Sequence, residues 1–477
     1  MKTFESLVSK AMSAETIEER MALAQDAVWY AENHATGYYA SPELESIFLE
    51  AAKAIPEVTC KPQKNTVLHV MTQAYGSGGH TRVVERWINM SNIEEKHSVL
   101  LLNQETENVP QWLVNSAKNH GGNFLSLNED DIIKRAYLLR QEASKYERVI
   151  LHVHMDDSVP IIAFGVDSFT TPIIFFNHAD HMFWLGVSIA DMVAELRCDH
   201  ISETRRGVQN SYVLGIPPIP DNNITIDVDK KALRRELGIP IDDFVIITTG
   251  SEYKYRRIGS NSLCKQLVEI VIKGKNVSCY AIGPNIESDQ WGWANTVSEN
   301  RIHPLGVVTD KEKYRKYLLA ADLYMGSYPY GGYTSMMDAV QCGLPFLQLL
   351  ISGQQKSMLL MDPSIDQSLC LCHTTHELVR KSMKVMRDKR FRETLYLTSK
   401  RWADSVTSTD DWKCRLYDMY DKCPSKHKIR QFEIIKGRQV VIDDDVCLLG
   451  LMYDYKFEYA NRFLRRLSHA WMRIMGV

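Results

Sequence analysis

Between Thr66 and Leu350 the chain alternates short β-rich apolar runs with helical stretches, and it does so in two series. The first contains VLHVM (67–71), HSVLLL (97–102), RVILHV (148–153), PIIFF (172–176), DMVAEL (191–196) and SYVLG (211–215). The second contains FVIITTG (244–250), VSCYAIG (277–283), DLYMGS (322–327) and LPFLQLL (344–350), with helices beginning near Ser260, Lys311 and Thr334. Runs apolar on both faces, spaced by helices, build mainly parallel sheets with helices covering both sides. The segment IPPIPDNNITIDVD between the two series is made of loop formers and reads as an interdomain linker. The expected fold is therefore α/β, two doubly wound Rossmann-like domains in series. Ligands of such folds bind beyond the carboxyl ends of the strands, here in the cleft between the domains.

A chain of 477 residues exceeds what one hydrophobic core serves. Four parts are expected: a helical amino-terminal segment (1–60), an amino-terminal domain (61–218), a carboxyl-terminal domain (219–450) and an amphipathic helix (451–477). No apolar run approaches the roughly 20 residues needed to span a bilayer. The first residues, MKTFESLVSK, carry an acidic residue early and have no apolar stretch before a cleavage site, so cytoplasmic residence is expected. The net charge of -3 supplies no basic field for nucleic acid. The ten cysteines show neither ribbon nor disulfide spacing and read as reduced thiols.

Polar groups gather at the ends of several strands. After the first strand, QAYGSGGHTRVVERW is a glycine-rich turn entering a helix near Thr81. Gly76, Gly78 and Gly79 let backbone amides approach a ligand, and His80 ends the loop. The G-x-G-x-x-G dinucleotide pattern is not met, because Gly76 and Gly78 are followed by Thr81 and Arg82 with no third glycine in place. The segment HVHMDDS (152–158) adds His154, Asp156 and Asp157, of which the carboxylates could equally cap the next helix. NHADHMFWLG then places Asn177, His178, Asp180 and His181 ahead of Phe183 and Trp184, a mixture of hydrogen-bonding groups and aromatic faces that suits a sugar. Its H-A-D-H spacing is not an established metal-ligand pattern, so no metal is expected.

In the second series, TTGSEYKYRR puts Lys254 and Arg256 just past a strand that ends in glycine, where cations can neutralise a diphosphate. The richest stretch is YPYGGYTSMMDAVQCGLP (328–345): Gly331 and Gly332 lead through Tyr333 into a helix at Thr334, with Ser335 in its first turn. Free amides and hydroxyls there form a phosphate site, and Asp338, one turn on, faces the same way and can accept from ribose hydroxyls.

This stretch resembles the nucleotide-sugar motif of GT-B glycosyltransferases, and its pattern P-x-x-G-G-x-T-S-x-x-D-A-x-x-x-G-x-P is most similar to the O-GlcNAc transferases and bacterial protein N-glucosyltransferases. The resemblance implies that the helix terminus binds the diphosphate and Asp338 the ribose. The Gly-His loop ending at His80 and the basic group at Lys254 are similar to those families too. Retaining GT-B enzymes carry two glutamates eight positions apart in this motif, and here Tyr330 and Asp338 stand in their place. The missing first acid favours inversion, with a base that deprotonates the acceptor. The candidate catalytic residues are His80, Asp156, His178 and His181, and Asn177, Asp180 and Trp184 are expected to meet the acceptor. The pair His303–Pro304 resembles the nucleotide-holding element of CMP-sugar transferases, so CMP stands as an alternative to a UDP-linked donor.

The function this implies is metal-independent transfer of a sugar from a nucleotide sugar to a surface glycan, glycolipid or protein, with no cofactor beyond the donor. A nucleotide-sugar epimerase or hydrolase and a non-catalytic GT-B binding subunit are the alternatives. The tail KFEYANRFLRRLSHAWMRIMGV has Phe457, Leu464, Trp471 and Ile474 at helical spacing among five basic residues. It is expected to lie on the inner face of the cell membrane or to pack back on the first domain.

Overall fold

In the computed structural model the described residues run from 2 to 434, except 34–35, 77–78, 106–108, 181, 197–200, 220–227, 258–260 and 352–366. The sequence expectations for Gly78, His181, the helix start near Ser260 and the helix at 451–477 lie outside them.

Two all-parallel sheets carry the fold. The first has seven strands: β1 (Gln63–Met71), β2 (Lys96–Leu101), β3 (Phe124–Ser126), β4 (Tyr146–His152), β5 (Ile173–Asn177), β6 (Met192–Glu195) and β7 (Ser211–Val213). Their order is β3-β2-β1-β4-β5-β6-β7. The second has six: β8 (Phe244–Thr249), β9 (Val277–Ile282), β10 (Ile302–Gly306), β11 (Leu323–Met325), β12 (Phe346–Leu349) and β13 (Leu371–Cys372). Their order is β10-β9-β8-β11-β12-β13. Strand order reverses between β1 and β4 in one sheet and between β8 and β11 in the other. Such a switch point leaves a crevice at the carboxyl ends of the strands, because the helices that follow the two strands leave on opposite faces.

The apolar runs behave as their composition requires. Leu68, Val70, Val149 and Leu151 are fully buried, as are Ile246, Ile247, Cys279 and Ala281 in the second sheet. Three strands carried weaker signals: β3, β10 and β13 are short or polar, and β10 contains Pro304. Proline is tolerated there because β10 is an edge strand and bonds to β9 alone.

The amino-terminal segment, read from the sequence as appended, is part of the first domain. Its helices Lys2–Ser13, Ile17–Asn33 and Pro42–Ala52 contribute Phe4, Ala24, Val28, Ile47 and Phe48 to the same core as β1 and β4. Two buried charges fasten it. The Glu45 carboxylate accepts from the backbone amides of Gly186, Val187 and Ser188 at 2.8, 3.0 and 2.8 Å. Arg140, with no exposed surface, donates to the carbonyls of Ala52, Ile55 and Pro56 on one side and Ile162 and Ala163 on the other. A buried ion without such partners would be strongly destabilising.

The chain also crosses back. Residues 409–434, grouped by the sequence with the second domain, lie on the first. In the helix Thr409–Lys422, Trp412, Leu416, Met419 and Tyr420 are buried with Val67, Val83 and Trp87. Trp412 donates to the Gly215 carbonyl at 3.2 Å, and the Arg430 amide reaches Ser188. The physical reason is an amphipathic stripe that finds its apolar partner on the helix Gly79–Met90. Among the described residues no helix is long and apolar enough to cross a membrane.

Candidate functional site

Three loops at the two switch points face one another. The first follows β1 and enters the helix Gly79–Met90. The second follows β8: Gly250 and Ser251 lead into the 3-10 helix Glu252–Tyr255. The third follows β11 and enters the helix Tyr333–Gln341. Together they enclose a cavity of about 210 Å³ that touches Gly79 and Arg82 of the first domain and Gly250, Lys254, Thr334 and Ser335 of the second. It reaches Asp338, and its far wall is Ile282, Gly283, Val307 and Val308.

The backbone at this point is constrained. Gly283 has φ +111°, and a Cβ there would stand 2.1 Å from the Gly250 carbonyl oxygen, so only glycine allows the ends of β8 and β9 to close together. A Cβ on Gly79 would lie 2.7 Å from Thr334 Oγ1, so a side chain there would press on the loop from the second domain.

Lys254 is aimed by its neighbour. Tyr255 is buried, its hydroxyl 2.9 Å from Thr248 Oγ1 and its ring edge-on to Trp291 at 5.1 Å. With that side chain anchored inward, the adjacent lysine turns to the cavity. Among the described residues no carboxylate pairs with Lys254, and burial pulls its pKa down. An ammonium held out of water without a counter-ion beside the first turn of a helix is a binding site for an anion.

The Asp338 carboxylate is engaged across the cleft. Its Oδ1 lies 2.7 Å from Arg86 Nη2 of the first domain. Burial raises the Asp338 pKa, and Arg86 and Arg82 oppose the shift. Arg82 is itself held down to about 10 by burial and by Arg86. Lys311 pairs with Glu85, and Arg82 Nη2 donates to the Thr309 carbonyl at 3.4 Å, so the same helix grips the second domain at further points.

The residues singled out from the sequence separate into groups. Gly79, Lys254, Thr334, Ser335 and Asp338 share the cavity. Gly332 stands behind Lys254: a Cβ on it would lie 3.7 Å from Nζ. Gly331 is buried in the same loop. Tyr333 leaves the site and packs edge-on to Trp402 at 5.8 Å. Arg256 is not among the residues that line the cavity. His303 sits within β10, stacks on Tyr280 at 4.5 Å and is not among the residues that line the cavity.

The acceptor cluster expected at 177–184 is corrected. Asn177 is fully buried and its Nδ2 donates to Glu195 Oε2 at 2.8 Å and Ser202 Oγ at 3.0 Å. Trp184 is fully buried against Phe175, with ring centroids 4.2 Å apart. Asp180 is buried, and its carbonyl accepts from Arg205 and Arg206. These groups are buried in the core under β5 and β6, where the Asn177 amide nitrogen and the Asp180 carbonyl make internal hydrogen bonds. Asp157 caps: it accepts from Thr72 Oγ1 at 2.5 Å and from the Val159 amide at 3.0 Å.

Five groups do meet at the first-domain side of the cleft. The His80 and His178 rings are 4.3 Å apart. Tyr75, which is 44% exposed, stacks parallel on His154 at 6.1 Å, and its hydroxyl is 3.3 Å from His154 Nε2. Asp156 lies close enough for its charge to raise the Tyr75 pKa, after burial the second cause. An ordinary imidazole titrates at about 6.5. Burial, then the neighbouring His154, bring His80 to about 4, so its ring is neutral at physiological pH and free to accept a proton. His80 Nε2 is buried with no hydrogen-bond partner. Among the described residues no group of three or more His, Cys, Asp or Glu is arranged to hold a metal ion.

Sequence comparison adds nothing to this description: no protein-family model matches the chain, and no curated protein matches it. Solved structures do share its architecture. HepE from Anabaena, solved with UDP and glucose, superposes with a TM-score of 0.57 at 14% identity over 75% of this chain and 99% of its own. Sucrose-phosphate synthase from Thermosynechococcus elongatus gives 0.52 at 12% identity, over 75% and 98%. WaaG, a glycosyltransferase of lipopolysaccharide biosynthesis, gives 0.50 at 12% identity, over 74% and 98%.

Proposed function

We propose that this chain, which has the GT-B fold, is a glycosyltransferase that takes its sugar from a UDP-linked donor. The observation that carries the reading is Lys254: an uncompensated ammonium beside Thr334, Ser335 and the start of the helix Tyr333–Gln341, inside the cavity where the two switch points meet. That arrangement suits a diphosphate, which gains charge as it leaves the sugar. Groups already pointing at developing charge lower the barrier most, since they need not reorganise. UDP is favoured over CMP because His303 is drawn into β10 and away from the cavity. The HepE structures hold UDP and UDP-glucose, which supports the same choice of donor.

The reaction in this reading is an inverting displacement. The acceptor hydroxyl loses its proton to a base while its oxygen attacks the anomeric carbon, and the bond to the diphosphate breaks on the opposite side. His80 is the preferred base, because its ring is neutral, its Nε2 has no hydrogen-bond partner among the described residues, and it follows Gly79, which lines the cavity. The charge on the leaving group is met by Lys254 and by the helix amides, so no metal ion is required of this mechanism. The acceptor, a glycan, glycolipid or protein, enters past Tyr75, His154 and Asp156, where an exposed aromatic ring and polar groups offer what the core residues Asn177 and Trp184 do not.

Isothermal titration of the protein with UDP, GDP and CMP tests the reading, together with UDP release from UDP-glucose. Binding of UDP that is lost in Lys254→Met supports it. Binding of CMP alone replaces the donor, and binding of no nucleotide removes the enzyme reading.

A further inference from the structure

Three histidines on neighbouring strands of the first sheet are hydrogen-bonded in series inside the core. His69 on β1 has Nδ1 3.0 Å from His152 Nε2 on β4, and its Nε2 is 2.9 Å from His97 Nδ1 just inside β2. None of the three rings has any exposed surface. The series ends outward at Glu95, whose Oε2 is 3.5 Å from His97 Nε2 and also accepts from the Tyr417 hydroxyl at 3.1 Å. It ends inward at His152, edge-on to His80 with ring centroids 6.4 Å apart. Among the described residues His152 Nδ1, His80 Nε2 and His178 Nδ1 are buried with no hydrogen-bond partner, and His97 Nε2 approaches Glu95 at 3.5 Å without forming one.

Simple packing does not require this arrangement. Trp87 and Phe176 surround the same rings, and an apolar side chain at His69 would fill the space without two internal hydrogen bonds. A neutral imidazole has one N–H, so the two bonds must run in one direction. Glu95 sets it: a carboxylate faces an N–H more favourably than a lone pair, so His97, His69 and His152 each carry the proton on Nε2. His152 Nδ1 is then a lone pair turned to the cleft side.

We propose that His152, His69, His97 and Glu95 form a proton relay that carries the proton taken up at His80 out of the closed cleft to the protein surface. The proposal rests on the glycosyltransferase reading, which supplies that proton. One passage balances as follows. The proton leaves His80 and bonds to His152 Nδ1, and the N–H bond at His152 Nε2 breaks as one forms at His69 Nδ1. The His69 Nε2 proton then passes to His97 Nδ1, and the His97 Nε2 proton passes to Glu95 Oε2, from which it is lost to solvent. The three rings are left in the opposite tautomer until they turn. Two steps have no hydrogen bond in this structure: that from His80 to His152 requires the His80 ring to rotate, and that from His97 to Glu95 requires the 3.5 Å approach to shorten. A relay answers a difficulty of the site: burial makes each of these rings a poor place to keep a charge, so a proton received there must be handed to a group that accepts it as a neutral acid.

Two measurements on the full chain test the relay. The first needs no activity: the ring nitrogens of histidine-labelled protein are read by 15N NMR. The expected result is the Nε2–H form for His69, His97 and His152, with N–H···N coupling across both bonds. Nδ1–H on His152, or absence of the couplings, overturns the proposal. The second compares the wild type with Glu95→Gln and His69→Phe in UDP release, with UDP affinity measured in parallel. The relay predicts UDP affinity and KM unchanged, kcat lowered roughly tenfold or more, and a solvent isotope effect whose dependence on deuterium fraction becomes linear in the variants. Unchanged kcat in folded Glu95→Gln, with UDP still bound, overturns it. Failure of the wild type to bind UDP instead defeats the donor reading and with it the relay's source of protons, and the NMR result separates that case from a broken chain.

Discussion

Arg86 and Asp338 form an ion pair at 2.7 Å that joins the first domain to the second at the edge of the cavity. Both side chains are largely buried, so removal of one strands the other. Asp338→Ala or Arg86→Ala is expected to cost about 3–5 kcal/mol, whereas the double replacement Arg86→Met with Asp338→Leu recovers most of the loss. Thermal or denaturant unfolding of the three variants measures this. A double variant no better than the singles would show that the pair acts through other contacts.

Lys254→Met removes a desolvated cation that no carboxylate pairs with among the described residues. Binding of UDP is expected to weaken by about 1.5–3 kcal/mol, as for a charge-assisted contact, while the unfolding midpoint holds or rises. Titration calorimetry and melting curves give the two answers, and weaker folding with unchanged UDP affinity would contradict the assignment.

Gly79→Ala places a methyl group 2.7 Å from Thr334 Oγ1. Overpacking of this kind costs about 1–3 kcal/mol, and here it is expected to hold the cleft open and to weaken UDP binding. Thr334→Ala on the same background relieves part of the clash. The comparison requires binding measurements on both proteins, and equal affinity for the single variant and the wild type would refute the close approach.

Stability should depend steeply on acid. Burial sets the His80 pKa at about 4 and the pKa values of His69, His152 and His178 well below the usual 6.5. The unfolded chain therefore takes up protons first. The stability is complete above about pH 6.5 and falls as the pH is lowered toward 4, with His80 alone contributing on the order of 3 kcal/mol. Unfolding midpoints at intervals from pH 7.5 to 4.5 follow it, and a flat profile would mean that these rings are not buried as neutral groups.

Trp184 belongs to the core. Trp184→Ala is expected to cost about 3–5 kcal/mol, and Trp184→Phe much less, with UDP release from UDP-glucose unchanged in Trp184→Phe. Chemical denaturation together with that assay separates the two roles, and a folded Trp184→Phe that loses sugar transfer would restore the acceptor reading.

Most strands of both sheets were legible because runs such as VLHVM and FVIITTG are apolar on both faces, as a covered parallel sheet demands, whereas β3 and β13 are too short to signal. β10 was hidden by Pro304, whose presence speaks against a strand until the strand is known to lie at an edge. The phosphate side of the cavity was legible because its groups are local: Gly332, Thr334 and Ser335 are neighbours in sequence, and Lys254 lies just past a strand. The 177–184 cluster misled because a sequence shows that a residue is polar and not which way it points. Glu195 and Ser202, which satisfy Asn177, are 18 and 25 residues away. His69, His97 and His152 carried no signal at all, each being one histidine in an apolar run. Only the order β2-β1-β4 brings them together.

The return of the helix Thr409–Lys422 to the first domain has a consequence for synthesis. Trp87 Nε1 donates to the Tyr420 hydroxyl, a partner 333 residues later in the chain. When the ribosome has finished the first sheet, the apolar flank around Trp87 and Val83 is therefore still bare, and it stays so through translation of the entire second domain. The nascent chain must keep that flank from other surfaces for this interval, so cells depleted of chaperones that bind growing chains should lose this protein to aggregation before it ever meets a nucleotide.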